Sequence, residues 1–468
     1  MSRRGVVASG ALLGVAHLLD VVLPLLRNVA IARLMEPREF ALSLMLTTVV
    51  VIAELVTDTG LSQMAVKVDP SRTRARGTLQ SLAVLRALLV GGALAVVSGP
   101  LATLFHEPAA AAAFALTGAG IAVRGASNVA MKQAGRDFNF APEALTLIVS
   151  QIVWTASCIG LAVLWGDHRA MTASLMLYCL SFAVVSHLTA PKRVTFAWDR
   201  VLVGEAARFG APLMPNGIAL AVTSLGDRGV IGARLGLEAL AAYGPVNAMA
   251  MLPRGTALRY VNNLFLPAMV RATERGEPLA GLARGWAGIM ALLAVGLGLG
   301  FMALGKPTVA LIYGGRYDPS QALVSVVAAL LATRVLIALP VPLAVANGRT
   351  WFVTASSAIT ALSLVPAAAL LLMMPVSLVA FLGAVLAVEA LGLTLILART
   401  ACSFGAEGRA LARVAPLAAG LCYGSIGLLH ALGLADRWDV RLTFGAAGAA
   451  VALLAYGPAF LRSWRLRR

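Results

Sequence analysis

Residues 281–305 read GLARGWAGIMALLAVGLGLGFMALG. After Arg284, twenty-one positions pass without a charged side chain. About 20 apolar residues in helical form cross the ~30 Å hydrocarbon layer of a bilayer. Backbone N–H and C=O groups find no water there, so such a run must satisfy them internally as a helix. Gly296, Gly298 and Gly300 form a GxGxG pattern inside the run. A phosphate loop needs that pattern between a strand and a helix. Within an apolar helix, the glycines read as a surface for close helix packing.

The rest of the chain has the same character. Over 468 residues, 59% are hydrophobic, 13% are charged and the mean hydropathy is +0.85. Soluble domains hold about 45–50% apolar and about 25% charged residues. Apolar runs fall near 8–34, 40–64, 79–104, 108–131, 141–165, 170–190 and 208–234, then near 238–270, 281–305, 319–346, 351–374, 376–399, 411–433 and 441–461. Prolines and glycines such as Pro37, Pro70, Pro108, Gly166, Pro191, Gly276 and Pro375 mark the junctions. About fourteen spans and their short loops use the whole length, leaving no polar stretch for a soluble domain. The first run is too long for a signal-peptide core and carries His17, Asp20 and Arg27, so it reads as an uncleaved helix. Cys158, Cys179, Cys402 and Cys422 show no paired spacing and read as small packing residues. No HExxH, CxxC or GxxxxGKS/T run occurs. The sequence therefore predicts no metal, cofactor or catalytic residue.

The net charge of +17 would suggest nucleic acid in a soluble protein. Its distribution says otherwise. With the N-terminus placed in the cytoplasm, twenty-three Lys and Arg fall in loops on that side and eight on the outer side. That asymmetry is the positive-inside pattern. It predicts cytoplasmic termini, contact of the basic loops with anionic headgroups without specificity, and no nucleic-acid partner.

A repeat supports two halves. RNVAIARLMEPREFALSLM (Arg27 to Met45) and RGVIGARLGLEALAAYGPV (Arg228 to Val246) align at an offset of 201. Arg27 matches Arg228, Ala32 matches Ala233, Arg33 matches Arg234 and Leu34 matches Leu235. Six helices separate the copies, so both insert with the same orientation. Parallel repeats of this kind build two-lobed transporters with a site between the lobes. The predicted fold is an all-α polytopic membrane protein. It has a lobe of helices 1–6 (1–195), a lobe of helices 7–12 (196–400), and an accessory pair, helices 13 and 14, with a basic tail (401–468).

Several stretches carry a family pattern: ARLMEPREFALSLM (Ala32 to Met45), AELVTDTGLSQMAVK (Ala53 to Lys67), RFGAPLMPNGIA (Arg208 to Ala219), GDRGVIGARLGLEALAAYGPVNAMAMLPRG (Gly226 to Gly255) and LIYGGRYDPSQAL (Leu311 to Leu323). In their order and spacing they resemble bacterial oligosaccharide flippases, the polysaccharide transporter branch of the multidrug/oligosaccharidyl-lipid/polysaccharide superfamily. The resemblance covers roughly residues 10–345. It implies a non-enzymatic transporter of the bacterial inner membrane that moves undecaprenyl-pyrophosphate-linked oligosaccharide from the cytoplasmic to the periplasmic leaflet. The implied uses are exopolysaccharide, capsule or O-antigen assembly. The implied partners are the lipid-linked oligosaccharide, membrane lipids and other polysaccharide-assembly proteins. A peptidoglycan lipid-precursor flippase and a cation-coupled multidrug exporter of the same superfamily are the alternatives. An exporter of cationic drugs calls for acids and aromatic faces, yet aromatics are only 6% here and intramembrane Arg outnumbers acid. A membrane glycan polymerase or ligase calls for a large outer loop, and Lys306 to Asp318 is only about a dozen residues.

The ionisable residues within spans carry the site prediction. Each charge near the bilayer centre costs about 2.5–3.5 kcal/mol on insertion scales and needs water or a partner. His17, Asp20, Pro24 and Arg27 share a face of helix 1, and Thr47, Glu54 and Asp58 a face of helix 2. Helix 7 offers Asp227 and Arg228; helix 8 offers Asn247, Arg254 and Arg259, interrupted by Pro245 and Pro253. Arg124 and Arg334 come from helices 4 and 10, whereas Arg86 lies near a helix end and reads as snorkelling. Six unpaired arginines would cost on the order of 15–20 kcal/mol, more than a typical folding stability. A guanidinium grips phosphate oxygens through paired hydrogen bonds where Lys offers a point charge. Arg27, Arg124, Arg228, Arg254, Arg259 and Arg334, with Asn247, are therefore the expected lining of a central cationic cavity for pyrophosphate and glycan. Arg254 and Arg334 are the ones least explained by pairing. Asp20, Glu54, Asp58 and Asp227 are candidates for ion coupling, and Glu389 has no assigned partner.

Overall fold

A computed structural model describes residues 3–68, 72–211, 213–349 and 351–465, with the side chains of 3–8, 216, 259, 260, 263, 264 and 459–465 outside the description. Every regular element among the described residues is helical. The chain divides into two compact units, Met1–Ala241 and Ala242–Arg468.

The first unit contains α1 (Arg3–Leu34), α2 (Pro37–Val56), α3 (Leu61–Lys67), α4 (Thr73–Val96), α5 (Ser98–Leu104), α6 (Ala111–Gly125) and α7 (Ala130–Gln133). It continues with α8 (Ala141–Trp165), α9 (His168–Thr189), α10 (Arg200–Gly210) and α11 (Leu213–Arg234). Then α12 (Gly236–Glu274) carries the chain into the second unit. There follow α13 (Ala280–Tyr313), α14 (Gln321–Ile337), α15 (Val341–Ala346), α16 (Trp351–Met373), α17 (Leu378–Ser403), α18 (Gly405–Ala431) and α19 (Trp438–Arg465).

Twelve stretches among the described residues are long and apolar enough to cross a bilayer. They match twelve of the fourteen expected runs. The other two are α11 and α12, long enough at 22 and 39 residues. Both carry polar faces, and α12 also holds Pro245, Pro253 and Pro267. A count of fourteen is thus a proposal. The exterior is apolar: Leu89, Val163, Leu164, Leu188 and Leu454 stand exposed along the spans. In water such a surface would aggregate, so the surrounding medium is hydrocarbon.

In the first unit α8 packs on both α1 and α9, α4 on α6, and α11 on α2. Glycine permits the closest approaches. A Cβ at Gly91 of α4 would fall on the carbonyl oxygen of Gly118 in α6, and one at Gly118 on that of Gly91. A Cβ at Gly217 of α11 would strike the carbonyl of Leu55 in α2. At one end of this unit, Arg38 pairs with Glu107 and Glu39 with His168, which ties the loops after α1, α5 and α8 together. At the other end, Arg136 donates to the Lys67 carbonyl and Arg74 to that of Trp198.

In the second unit α13 packs against α14, α18 and α19 around a core that includes Trp286, Met290 and Leu299. α13 extends past Pro307 to Tyr313, so the expected outer loop from Lys306 shortens to the turn between Gly314 and Ser320. The run read as one span over 319–346 is broken between α14 and α15. Pro340 and Pro342 have no N–H to give the carbonyls four residues back, which interrupts the ladder there. Side chains of three other helices reach the carbonyls around the break. Arg254 of α12 reaches Arg334, Ser356 of α16 reaches Ile337, and Trp286 of α13 reaches Leu339.

Candidate functional site

In the first unit, α2, α4 and α6 bring charge to one cavity of about 380 Å³. Glu54 and Asp58 sit one turn apart near the end of α2. Its regular helix stops at Val56, and Gly60 then takes a left-handed φ of 65°. No side chain suits that turn: a Cβ on Gly60 would meet Leu213 and Phe209. The turn lets the Gly60 N–H donate to Asp58 Oδ1 at 2.9 Å. Arg124, from the last turn of α6, forms an ion pair with Glu54. Its guanidinium also lies over the rings of Phe182 (4.8 Å) and Tyr178 (5.4 Å), both on α9. Arg86 of α4 donates through Nη2 to the Glu54 carbonyl and to Thr57 Oγ1, each at 3.1 Å. Its Nε is buried without a hydrogen-bond partner among the described residues. Lys132 completes the wall and is paired to Glu143.

Arg86 therefore does not snorkel as its sequence position suggested. It turns inward because α2 offers it a carbonyl and a hydroxyl at the helix end. Nothing in the sequence around Arg86 marks this, since both acceptors come from a helix some thirty residues earlier. Arg124, a candidate for the pyrophosphate, and Glu54 and Asp58, candidates for ion coupling, all line this first-unit cavity. Arg27 and Asp20 of α1 face α8 instead. Arg27 is buried with its guanidinium 3.5 Å from the centre of the Trp154 ring, and its Nε and Nη1 lack partners among the described residues. Asp20 accepts from Gln151 Nε2 at 2.7 Å. In α11, buried Asp227 accepts from the Arg228 N–H at 2.8 Å, and the Arg228 Nε is buried without a partner among the described residues.

In the second unit Arg334 and Glu389 meet. Arg334 Nε and Nη2 donate to Glu389 Oε1 at 3.0 and 2.9 Å, and Nε also reaches Oε2 at 3.1 Å. Glu389 is fully buried and Arg334 nearly so. Pairing therefore accounts for Arg334, contrary to the sequence argument, because α17 packs against α14 and delivers a carboxylate from 55 residues away. Arg254 differs. Its Nη2 rests on the Arg334 carbonyl at 3.3 Å, and its Nε is buried without a partner among the described residues. Asn247 is buried in α12, and the side chain of Arg259 lies outside the described residues.

A helical, lipid-embedded fold with ionisable groups held inside its units has the form of a polytopic membrane transporter. Two solved structures share the fold. The lipid II flippase MurJ in an inward closed conformation aligns with a TM-score of 0.66 at 12% identity, covering 96% of this chain and 99% of that one. An inward-facing multidrug resistance transporter of the MATE family aligns with a TM-score of 0.55 at 13% identity, covering 84% and 94%. Residues 30–322 match the family described as polysaccharide biosynthesis protein, and the chain belongs to that family. The succinoglycan biosynthesis transport protein ExoT of Rhizobium meliloti (strain 1021) is 25% identical over 294 residues. That alignment spans 61% of this chain and 58% of ExoT.

Proposed function

We propose that this protein is a flippase of polysaccharide biosynthesis. It carries an undecaprenyl-pyrophosphate-linked oligosaccharide from the cytoplasmic to the periplasmic leaflet of a bacterial inner membrane, by alternating access around a cationic cavity. The observation that carries this reading is the charged cavity of the first unit, where Arg86, Arg124 and Lys132 face Glu54 and Asp58. Arg124 is held by one carboxylate and two aromatic faces. An incoming phosphate can replace that carboxylate as a bidentate partner without moving the guanidinium far. Arg254 and Arg228, each with a buried Nε that lacks a partner among the described residues, are further candidates for the pyrophosphate, together with Arg27, Arg259 and Asn247. Arg334 acts in this scheme by fixing the carbonyl on which Arg254 rests. Family membership favours a polysaccharide glycan over a peptidoglycan precursor or a drug, although all three cargoes are handled on this fold.

The experiment is analysis of exported and cell-associated glycan in a deletion strain complemented with variants of matched membrane level. Deletion should abolish one exported polysaccharide and leave its lipid-linked unit on the cytoplasmic side. Arg124→Gln should fail to restore export, and Arg124→Lys should restore it in part. Normal export in the deletion strain, with cell-wall precursor accumulating instead, would move the assignment to the peptidoglycan reading.

A further inference from the structure

A second, separate basic pocket lies at the end of the first unit where α3, α4 and α10 meet. It has a volume of about 500 Å³, and among the described residues Lys67, Arg72 and Arg136 border it with a single acid, Glu205. None of the three cations forms an ion pair among the described residues; Asp69, near Lys67 in sequence, lies outside them. The pocket has a packed floor. Met64 and Ala65 of α3, Leu79 of α4, and Leu202 and Ala206 of α10 form one buried apolar cluster beneath it. Two of the cations are aimed by contacts that leave donors over. Lys67 Nζ stands 4.5 Å from the centre of the Phe209 ring, and Arg136 uses only Nη1 on the Lys67 carbonyl, at 3.0 Å.

The surroundings set its depth. α10 has 11 residues, about 16 Å of helix, too short to cross a bilayer. It buries Leu202, Ala206 and Gly210 on one face and leaves Val201, Glu205 and Arg208 exposed on the other. Phe196, Trp198 and Val201 stand exposed beside Arg193 and Arg200. Exposed aromatics flanked by basic residues belong at the headgroup level. This strip is fixed to the protein. Arg74 donates to the Trp198 carbonyl at 3.5 Å, and a Cβ on Gly77 would come within 2.9 Å of the Ala197 Cβ. A pocket bordered by three cations at headgroup depth fits a phosphate whose apolar remainder stays in the leaflet.

We propose that Lys67, Arg72 and Arg136 bind the phosphate of an anionic phospholipid in the leaflet that the charge pattern makes cytoplasmic. The site is independent of the transported cargo. The test is native mass spectrometry of the full chain, titrated with phosphatidylglycerol, phosphatidylcholine and inorganic pyrophosphate. Phosphatidylglycerol should bind in preference to phosphatidylcholine. The triple variant Lys67→Gln, Arg72→Gln, Arg136→Gln should weaken that binding about a hundredfold, from about 1 kcal/mol per basic residue at an anionic surface. Arg271→Gln, Arg275→Gln, Arg284→Gln removes the same charge from the basic junction of α12 and α13 and should leave binding within about threefold. Glu205→Gln, a mild change at an exposed position, should tighten it. An equal loss in both triple variants would reduce the pocket to diffuse surface charge and overturn the proposal. So would inorganic pyrophosphate competing as well as the lipid, or a Glu205→Gln variant that binds no more tightly.

Discussion

Glu389 is the residue on which the second unit's charge balance turns. With no exposure and an Arg334 fork across both oxygens, it belongs to a pair whose members are costly alone. Removing one partner of a buried ion pair costs about 3–5 kcal/mol, whereas replacing both by well-packed apolar residues is often neutral. Glu389→Gln should therefore lower the thermal unfolding midpoint in detergent sharply, and Glu389→Met with Arg334→Met should recover most of it. A double variant as unstable as the single one would mean the pair holds something besides itself. The acids of the first unit pose a different question. Neutralising Glu54, Asp58, Asp20 and Asp227 in turn, with glycan export assayed with and without an ion gradient, separates coupling from charge balance. Glu54→Gln is expected to change the gradient dependence, since it frees Arg124 for good; unchanged export and unchanged dependence would remove Glu54 from the mechanism. The charged positions themselves were legible in the sequence, because a charge inside an apolar run stands out. Their partners were not. Arg334 finds Glu389 and Arg86 finds Thr57 only through helix packing, and no local spacing encodes either contact.

Helix contacts in hydrocarbon lack a hydrophobic driving force and depend on close backbone approach. Gly91 and Gly118 meet that need between α4 and α6, while Gly92, one position on, has nothing within 4 Å of a built Cβ. Gly91→Ala should destabilise the first unit by about 1–3 kcal/mol through overpacking. Gly92→Ala should be neutral, or stabilising by up to about 1 kcal/mol from helix propensity. Thermal unfolding of the two variants in detergent checks the contrast, and equal effects would refute the packing assignment. The α14–α15 break makes a matching case. Pro340 and Pro342 were visible in the sequence, but the long apolar run hid the interruption they cause. What sustains it is the set of donors from other helices. Trp286→Phe keeps the ring and removes the donor to the Leu339 carbonyl, held now at 2.8 Å. A loss of about 1–3 kcal/mol is expected for the buried carbonyl left behind.

At the scale of the whole molecule, the helical membrane class was legible from apolar runs alone, because hydrocarbon admits few other backbones. The span count was less so: α11 and α12 carry enough polar residues to depart from the pattern that identifies the other twelve. Orientation rests on a different kind of argument. Contacts at the two ends of the first unit group the loops by parity: Arg38 with Glu107 and Glu39 with His168 at one end, Arg136 with Lys67 and Arg74 with Trp198 at the other. A chain that missed or added a span there would mix the groups. The second unit shows the same sorting where Arg349 donates to the Ser403 carbonyl, which joins the loops before α16 and after α17. Parity groups the loops that lie together, and the twenty-three to eight division of Lys and Arg predicts which group faces the cytoplasm. If α11 and α12 both span, the chain end and the turn between Gly314 and Ser320 lie on opposite sides, and the charge pattern predicts a cytoplasmic end. If only one spans, the turn and the chain end still lie on opposite sides, but every later loop changes face and the basic ones move outward. A reporter fused after Arg468 should therefore read as cytoplasmic, and one inserted between Gly314 and Ser320 as periplasmic. Both on one side would break the alternation within the second unit. The two exchanged would leave each unit's threading intact and show that α11 or α12 does not cross.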